Sequence, residues 1–283
     1  MSDSNELIIQ TALECGFHPR LSNSDYHALD AVGKSDLDLI ARSPAHWKYA
    51  MREMRETTPA MRIGAAVHCA VLEPDRFTTD YVTAPDCDRR TKAGKEAFAE
   101  FEAANAGKTV LTVEDGLLCH RIADAVRQHP EAAALLSRGQ PEVSALWRDE
   151  EFGVRCRARF DWITPDGLAV DLKTTQDAGP AEFARSCAIY RYHVQAAWYL
   201  DGYLQVSADL PLGFIFIAVE KTPPYAVALY ELDADAVELG RLLSRRDLAR
   251  YAAARDMDTW PSYPTEIQSL SLPRWALNQE IAE

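Results

Sequence analysis

The sequence predicts an α/β (α+β) fold in which a central mixed β-sheet is flanked by helices and preceded by a helical N-terminal region. Three observations carry this. After Gly139 the hydrophobic pattern changes from a helical to an alternating period. Asp166-Gly167 separates two alternating runs, which is a tight hairpin signal. A helical stretch then intervenes before a further buried run at 212–220, the order expected of a mixed sheet with helices on its faces.

The elements follow in order. Ser35 caps a short helix ending near residue 41, and Ser43-Pro44 restarts a helix to about residue 55, with proline at the favoured first position. A helix over 61–72 stops at Pro74, and two more cover 91–104 and 113–128. Thr112 and Asp115 form a capping pair at the start of the last of these, and His129-Pro130 ends it before a short helix that closes at Gly139. Strands are expected over 142–148, 154–163 and 168–174. Gly179-Pro180 opens a helical stretch to about residue 205 with a break near Arg191. A buried strand over 212–220, an edge strand over 225–232, a long helix over 234–255 and a tail containing Pro and Trp complete the chain. Residues 1–60 form the helical N-terminal region and 61–283 the core, together one compact domain.

Composition narrows the function class. The 283 residues are 47% hydrophobic and 26% charged, a soluble globular profile large enough for a substantial core. The longest apolar run, 212–219, is too short to cross a bilayer, and the first residues lack the pattern of a signal peptide, so no membrane association is expected. Six cysteines at irregular spacing include no CxxC pair, which excludes zinc-ribbon and iron–sulfur readings and fits reduced thiols in a cytoplasmic protein. The net charge of −13 counts against a protein that coats itself with nucleic acid, and it requires any DNA-binding enzyme of this sequence to concentrate positive charge locally.

The chemistry-bearing segment is RFDWITPDGLAVDLKTT. Asp161 ends the polar face of one strand, and Asp171 and Lys173, two residues apart on the next, share a face. The intervening turn can bring the acids together into a hard, oxygen-rich site suited to Mg²⁺ or Mn²⁺, with Lys173 placed to orient water or stabilise a phosphoryl oxygen. Taken alone, the same residues also read as solvated acids with a surface lysine partner. Val170 and Leu172 shift the balance, because an embedded strand must turn its polar side to a cleft or to solvent.

Asp161 followed by Asp171-Leu172-Lys173 resembles the D…(D/E)xK signature of the PD-(D/E)xK nuclease superfamily. Gly64-Ala65-Ala66-Val67-His68 with Leu72-Glu73-Pro74 resembles the GxxxH…LEP helix of the RecE-like exonuclease branch, related to the RecB nuclease domain. Gln195-Ala196-Ala197-Trp198-Tyr199 resembles its QxxxY motif. The ordered set is more specific than any one piece, and the likeness runs from about Leu21 to Tyr203. It implies a PD-(D/E)xK restriction-endonuclease-like core. His68, Asp161, Asp171 and the backbone carbonyl of Leu172 would bind metal, Glu142 would join a second ion, and Lys173 would be the catalytic lysine. Gln195 and Tyr199 would contact DNA phosphate. Gly64, one turn from His68, would let the helix approach the sheet closely.

Arg155, Arg157 and Arg159 share the face of Asp161, where they read either as solvated surface or as a track for the phosphate backbone. Arg89-Arg90-Thr91-Lys92 reads equally as a DNA contact or a helix-capping loop. Trp47, Tyr49, Trp260 and Trp275 are expected in the core. The resemblance further implies an exonuclease on double-stranded DNA ends, acting 5′ to 3′, with a RecT-like single-strand annealing partner and a homo-oligomeric, ring-like assembly. The rivals are an endonuclease of restriction or junction-resolving type with the same metal site, and a non-catalytic DNA-binding module of this fold. No Walker motif is present, so no ATP-driven motor is expected.

Overall fold

The computed structural model describes residues 13–53 and 58–274. Eight strands are described: β1 (Gly16–His18), β2 (Tyr81–Thr83), β3 (Thr109–Leu111), β4 (Gln140–Asp149), β5 (Val154–Ile163), β6 (Leu168–Thr175), β7 (Gly213–Glu220) and β8 (Val227–Glu231). Six of them form one mixed sheet in the order β1-β4-β5-β6-β7-β8, and β2 pairs with β3 separately. Every pairing in the large sheet is antiparallel except β6–β7. A parallel pair needs a crossover, and the helices Pro180–Ile189 and Tyr192–Val206 supply it.

Local chemistry accounts for most boundaries. Thr58, Thr91, Thr112 and Asp233 each accept a backbone N–H of the first turn of the helix they precede. Between β5 and β6, Gly167 takes φ +79°, and a Cβ there would lie 2.7 Å from the Tyr203 hydroxyl oxygen, so both backbone and space demand glycine. Arg191 interrupts the crossover in the left-handed region at φ 56°, at the expected break.

The sheet is covered on both sides. One core cluster joins Val32, Leu37 and Ile40 of the N-terminal segment to Ala158, Phe160, Phe216, Trp198 and Leu248. The other joins Val67, Val71, Ile122 and Val126 of the helices Pro59–Leu72 and Val113–Gln128 to Val170, Leu172, Ile217 and Val219. Gly240 lets the C-terminal helix Ala234–Asp256 cross the Tyr192–Val206 helix, since a Cβ there would meet the His193 carbonyl oxygen at 2.1 Å. Gly240→Ala is expected to lower unfolding stability by about 1–3 kcal/mol, the usual cost of an intruding methyl group in a packed contact. Urea denaturation would measure it, and an unchanged midpoint would show that the helices part freely.

Several expectations change. Edge strand β1, the short helices Asn23–Ala28 and Pro74–Asp80, and the β2–β3 pair carry too few residues to show a period. The first long N-terminal helix, Lys34–Arg42, starts at Gly33 rather than Ser35, because Asp36 folds back to accept the Gly33 N–H at 2.8 Å. The Pro44–Arg52 helix stops short of residue 55, which lies outside the described residues together with Trp275. Trp47 and Trp260 stack at 4.9 Å, whereas Tyr49 is exposed and does not belong to the core. All six cysteines are free thiols.

The arginine row of β5 is the largest correction. Arg157 and Arg159 are only 8% and 9% exposed. The Arg157 guanidinium donates to the carbonyls of Tyr26, His27 and Leu29 and lies 3.4 Å from the Asp36 carboxylate. Arg159 donates to the carbonyls of Leu21 and Ser22, to Asn23 and to the Ser144 hydroxyl. Arg155 donates to the Leu13 carbonyl. The N-terminal segment folds over this face, so Arg157 and Arg159 hold chain to sheet rather than forming a solvated row, and Arg159 also borders a cleft.

Candidate active site at the parting of two strands

The β5–β6 ladder consists of two pairs, Trp162–Val170 and Ile163–Ala169. The next residues in that register are Asp161 and Asp171, and there the strands separate. Asp161 Oδ2 fills the gap by accepting the Leu172 N–H at 2.9 Å. Groups from both faces of the sheet converge here. His68 arrives on the Pro59–Leu72 helix and places Nδ1 3.2 Å from Asp161 Oδ2. From the crossover helix Tyr192–Val206, buried Gln195 donates its side-chain amide to Asp171 Oδ1 at 2.5 Å. Lys173 Nζ lies 2.5 Å from Asp171 Oδ2 and 4.8 Å from the centre of the Tyr192 ring.

The electrostatics follow from enclosing these charges together. Burial pushes the Asp171 carboxyl up; Lys173 opposes this and Asp161 reinforces it, leaving it at about 6. Burial also acts to raise Asp161, but His68, Lys173 and the Leu172 N–H outweigh it and hold that carboxyl below its ordinary value. For His68 and Lys173 burial favours the neutral form, and the neighbouring carboxylates overcome it, so both are raised.

Glu142 faces the same region. It stands on β4 between the pairs Pro141–Trp162 and Val143–Phe160, hence opposite Asp161. Its backbone takes φ 53°, a strained conformation for a non-glycine residue of the kind that recurs at functional sites. Burial and then Asp161 push its carboxyl up to about 7 against the pull of Arg159, whose guanidinium is 3.8 Å away. A cleft of about 580 Å³ opens beside it, lined by Arg20, Asn23, Glu73, Arg76 and Arg159 among others.

Sequence reasoning placed His68, Asp161, Asp171 and Lys173 together, and the structure brings these four side chains into one cluster. Other assignments change. Gln195 turns its amide inward onto Asp171, and the Tyr199 ring packs edge-on against Phe160 and Phe214. Their one-turn spacing puts a support for the Asp171 carboxylate and a ring packed on the core on the same helix. Gly64 makes no close approach, since a Cβ there would meet nothing within 4 Å. The Arg89–Lys92 stretch is the loop capping the Lys92–Ala104 helix through Thr91, with Arg89 3.9 Å from the Phe98 ring centre. Sequence reasoning missed the aromatic neighbour of Lys173, although Tyr192 beside the helix break was visible.

The donors suit a divalent cation: an imidazole and two carboxylates, of which Asp171 Oδ2 is buried, faces Lys173 Nζ and receives no well-aligned hydrogen bond. Among the described residues no three His, Cys, Asp or Glu side chains already form a ligating group. Asp161 is engaged by Leu172 and His68, and Lys173 supplies the positive charge facing Asp171.

These shifts predict a pH dependence for the metal-free protein. Asp171 rises from an ordinary 3.8 to about 6, and Glu142 from 4.5 to about 7, so the folded state holds these protons more tightly than the unfolded chain. Stability from both groups is complete below about pH 4 and is lost as pH rises towards 7. His68, raised above 6.5, extends the loss upward, and the lowered Asp161 acts oppositely only at more acid pH. Melting temperatures in a chelator should fall across this window. A flat or rising profile would contradict the enclosure of these acids.

A sequence profile described as "PDDEXK-like domain of unknown function (DUF3799)" matches residues 22–273. No curated protein matches the chain. A crystal structure named "Putative exonuclease" from Eubacterium rectale shares the fold with TM-score 0.60 at 14% identity, covering 93% of this chain and 99% of that one. A second solved structure, SSO0001, has 15% identity, covers 70% of this chain and 87% of its own, and at a TM-score of 0.29 carries no argument. Among the described residues no helix is long and apolar enough to cross a membrane. With the match spanning nearly the whole chain, on a mixed sheet whose two central strands part at Asp161 and Asp171, the protein belongs to the PDDEXK-like family DUF3799.

Proposed function

We propose that this protein is a Mg²⁺- or Mn²⁺-dependent exonuclease of the RecE-like branch that hydrolyses linear double-stranded DNA from its ends. The observation that carries the nuclease reading is the convergence of His68, Asp161, Asp171 and Lys173 at one strand gap. Membership of a PDDEXK-like family supports it, and the exonuclease name of the fold relative motivates action from ends.

His68, Asp161 and Asp171 would hold the cation, with the Leu172 carbonyl and Glu142 as further oxygen donors. When bound, a divalent ion neutralises phosphate charge and lowers the pKa of water. Lys173 orients the attacking water and balances charge on the phosphoryl oxygens. Gln195 fixes the Asp171 carboxylate through its amide, so the carboxylate need not reorganise during the reaction. We further propose 5′ to 3′ resection that leaves 3′ single strands for a RecT-like annealing partner, and a ring of subunits around the DNA. A ring would gather basic residues from several copies, as a chain of net charge −13 requires.

The test is Mg²⁺-dependent digestion of end-labelled linear duplex beside covalently closed circular DNA of the same sequence. Loss of the linear substrate alone, with label released first from 5′ ends, is the expected result. Cleavage of the closed circle would replace the exonuclease by an endonuclease. Metal-dependent binding without cleavage of either substrate would reduce the protein to a binding module.

A further inference from the structure

Tyr190 stands at the break in the crossover, 59% exposed, beside Ile189 at 65%. Folding leaves this ring in water, yet it is firmly placed. Its N–H donates to the Ser186 carbonyl at 2.9 Å, and its own carbonyl accepts Lys34 Nζ at 2.8 Å. The next residue, Arg191, is fixed in its left-handed conformation by ion pairs to Asp38 and Asp247. The Tyr190 ring lies nearly parallel to that of Tyr192, centroids 5.7 Å apart at 28°. Tyr192 in turn lies at 5.7 Å and 29° from fully buried Phe216. A series of near-parallel rings therefore leads from the core to solvent, and its middle member is the ring beside Lys173.

We infer that Tyr190 is a stacking platform for an unpaired nucleobase flanking the scissile phosphate, so that the site favours a frayed or single-stranded end over intact duplex. This rests on the nuclease reading above. Nucleobases extend aromatic stacks without regard to sequence, and a fixed ring loses little freedom on doing so. Cations cluster near this ring in an otherwise acidic protein, each also paired with a carboxylate: Lys34 on the Tyr190 carbonyl and Asp38, Lys173 beside the Tyr192 ring and on Asp171, and Arg191 on Asp38 and Asp247. They are close enough that Lys173 and Arg191 help burial, the main cause, to hold the Lys34 ammonium below its usual value. A strand with its phosphate at Lys173 would bring the adjoining base to the exposed end of the series.

The experiment uses a DNA hairpin with a short 5′ overhang carrying 2-aminopurine next to the first cleavable phosphate, in Ca²⁺ so that binding is read without turnover. The wild type and Tyr190→Phe should quench the fluorophore and bind alike. Tyr190→Ala should lose the quenching and bind roughly ten-fold more weakly or worse, the scale of one lost base–aromatic stack. An abasic nucleotide at the same place should weaken the wild type to the level of Tyr190→Ala and leave that variant unaffected. Equal quenching and affinity in Tyr190→Ala, or equal losses on the abasic probe in both proteins, would overturn the platform while Mg²⁺-dependent digestion continued. A wild type that neither binds the hairpin nor digests it would overturn the nuclease reading, and the platform with it.

Discussion

Asp171→Asn and Lys173→Met are each expected to reduce DNA cleavage by about 100- to 1000-fold or more, the range seen when one preorganised charge-stabilising group is removed from a transition state. The two substitutions act on the two halves of one contact. Asp171→Asn is nearly isosteric and keeps an oxygen for the Gln195 amide, but it removes the charge a divalent ion would meet at the buried Oδ2. Lys173→Met keeps the volume beneath the Tyr192 ring and removes the ammonium. Both variants should fold. With Lys173 gone, Asp171 can take up a proton, since its carboxyl already titrates near 6. In Asp171→Asn, Asp161 remains to balance Lys173. Initial rates on end-labelled duplex beside thermal melts measure both quantities. Either variant cutting at the wild-type rate would refute the site.

Arg157→Met should destabilise the fold by about 3–5 kcal/mol, the cost of breaking a buried ion pair from one side. The total stability of a domain is about 5–15 kcal/mol, so the loss would be a large share of it. The size comes from what is left behind: the Tyr26 and Leu29 carbonyls lose a donor in a closed interior, and Asp36 loses its cation. Asp36 keeps the Gly33 N–H and the Trp47 indole N–H, which limits the damage to the junction between the N-terminal segment and β5. Urea denaturation should therefore show a lower midpoint, and protease should first cut residues near the start of the chain. If the variant matched the wild type in both, the N-terminal segment would not depend on this guanidinium.

Much of the fold was determined by sequence alone, for local reasons. Strand β5 came out at its observed limits because its alternation is strict, and the Val113–Gln128 helix because Thr112 caps it. The break at Arg191 and the turn at Gly167 were marked by residues that interrupt a period. The two acids and the lysine were legible because a strand's pleat fixes which residues share a face, and His68 because the stretch from Gly64 to Pro74 resembles a nuclease-family motif. Tertiary structure decided the rest. Alternation told that Arg157 and Arg159 share a face, but whether that face meets solvent or chain depends on where the N-terminal segment folds back, a long-range contact that leaves no local period. The same holds for Gln195, whose amide was given a direction only when the crossover helix settled over Asp171. Tyr190 stands out for the opposite reason: packing buried Phe216 and half-buried Tyr192 but left the Tyr190 ring in water, which no local pattern could reveal.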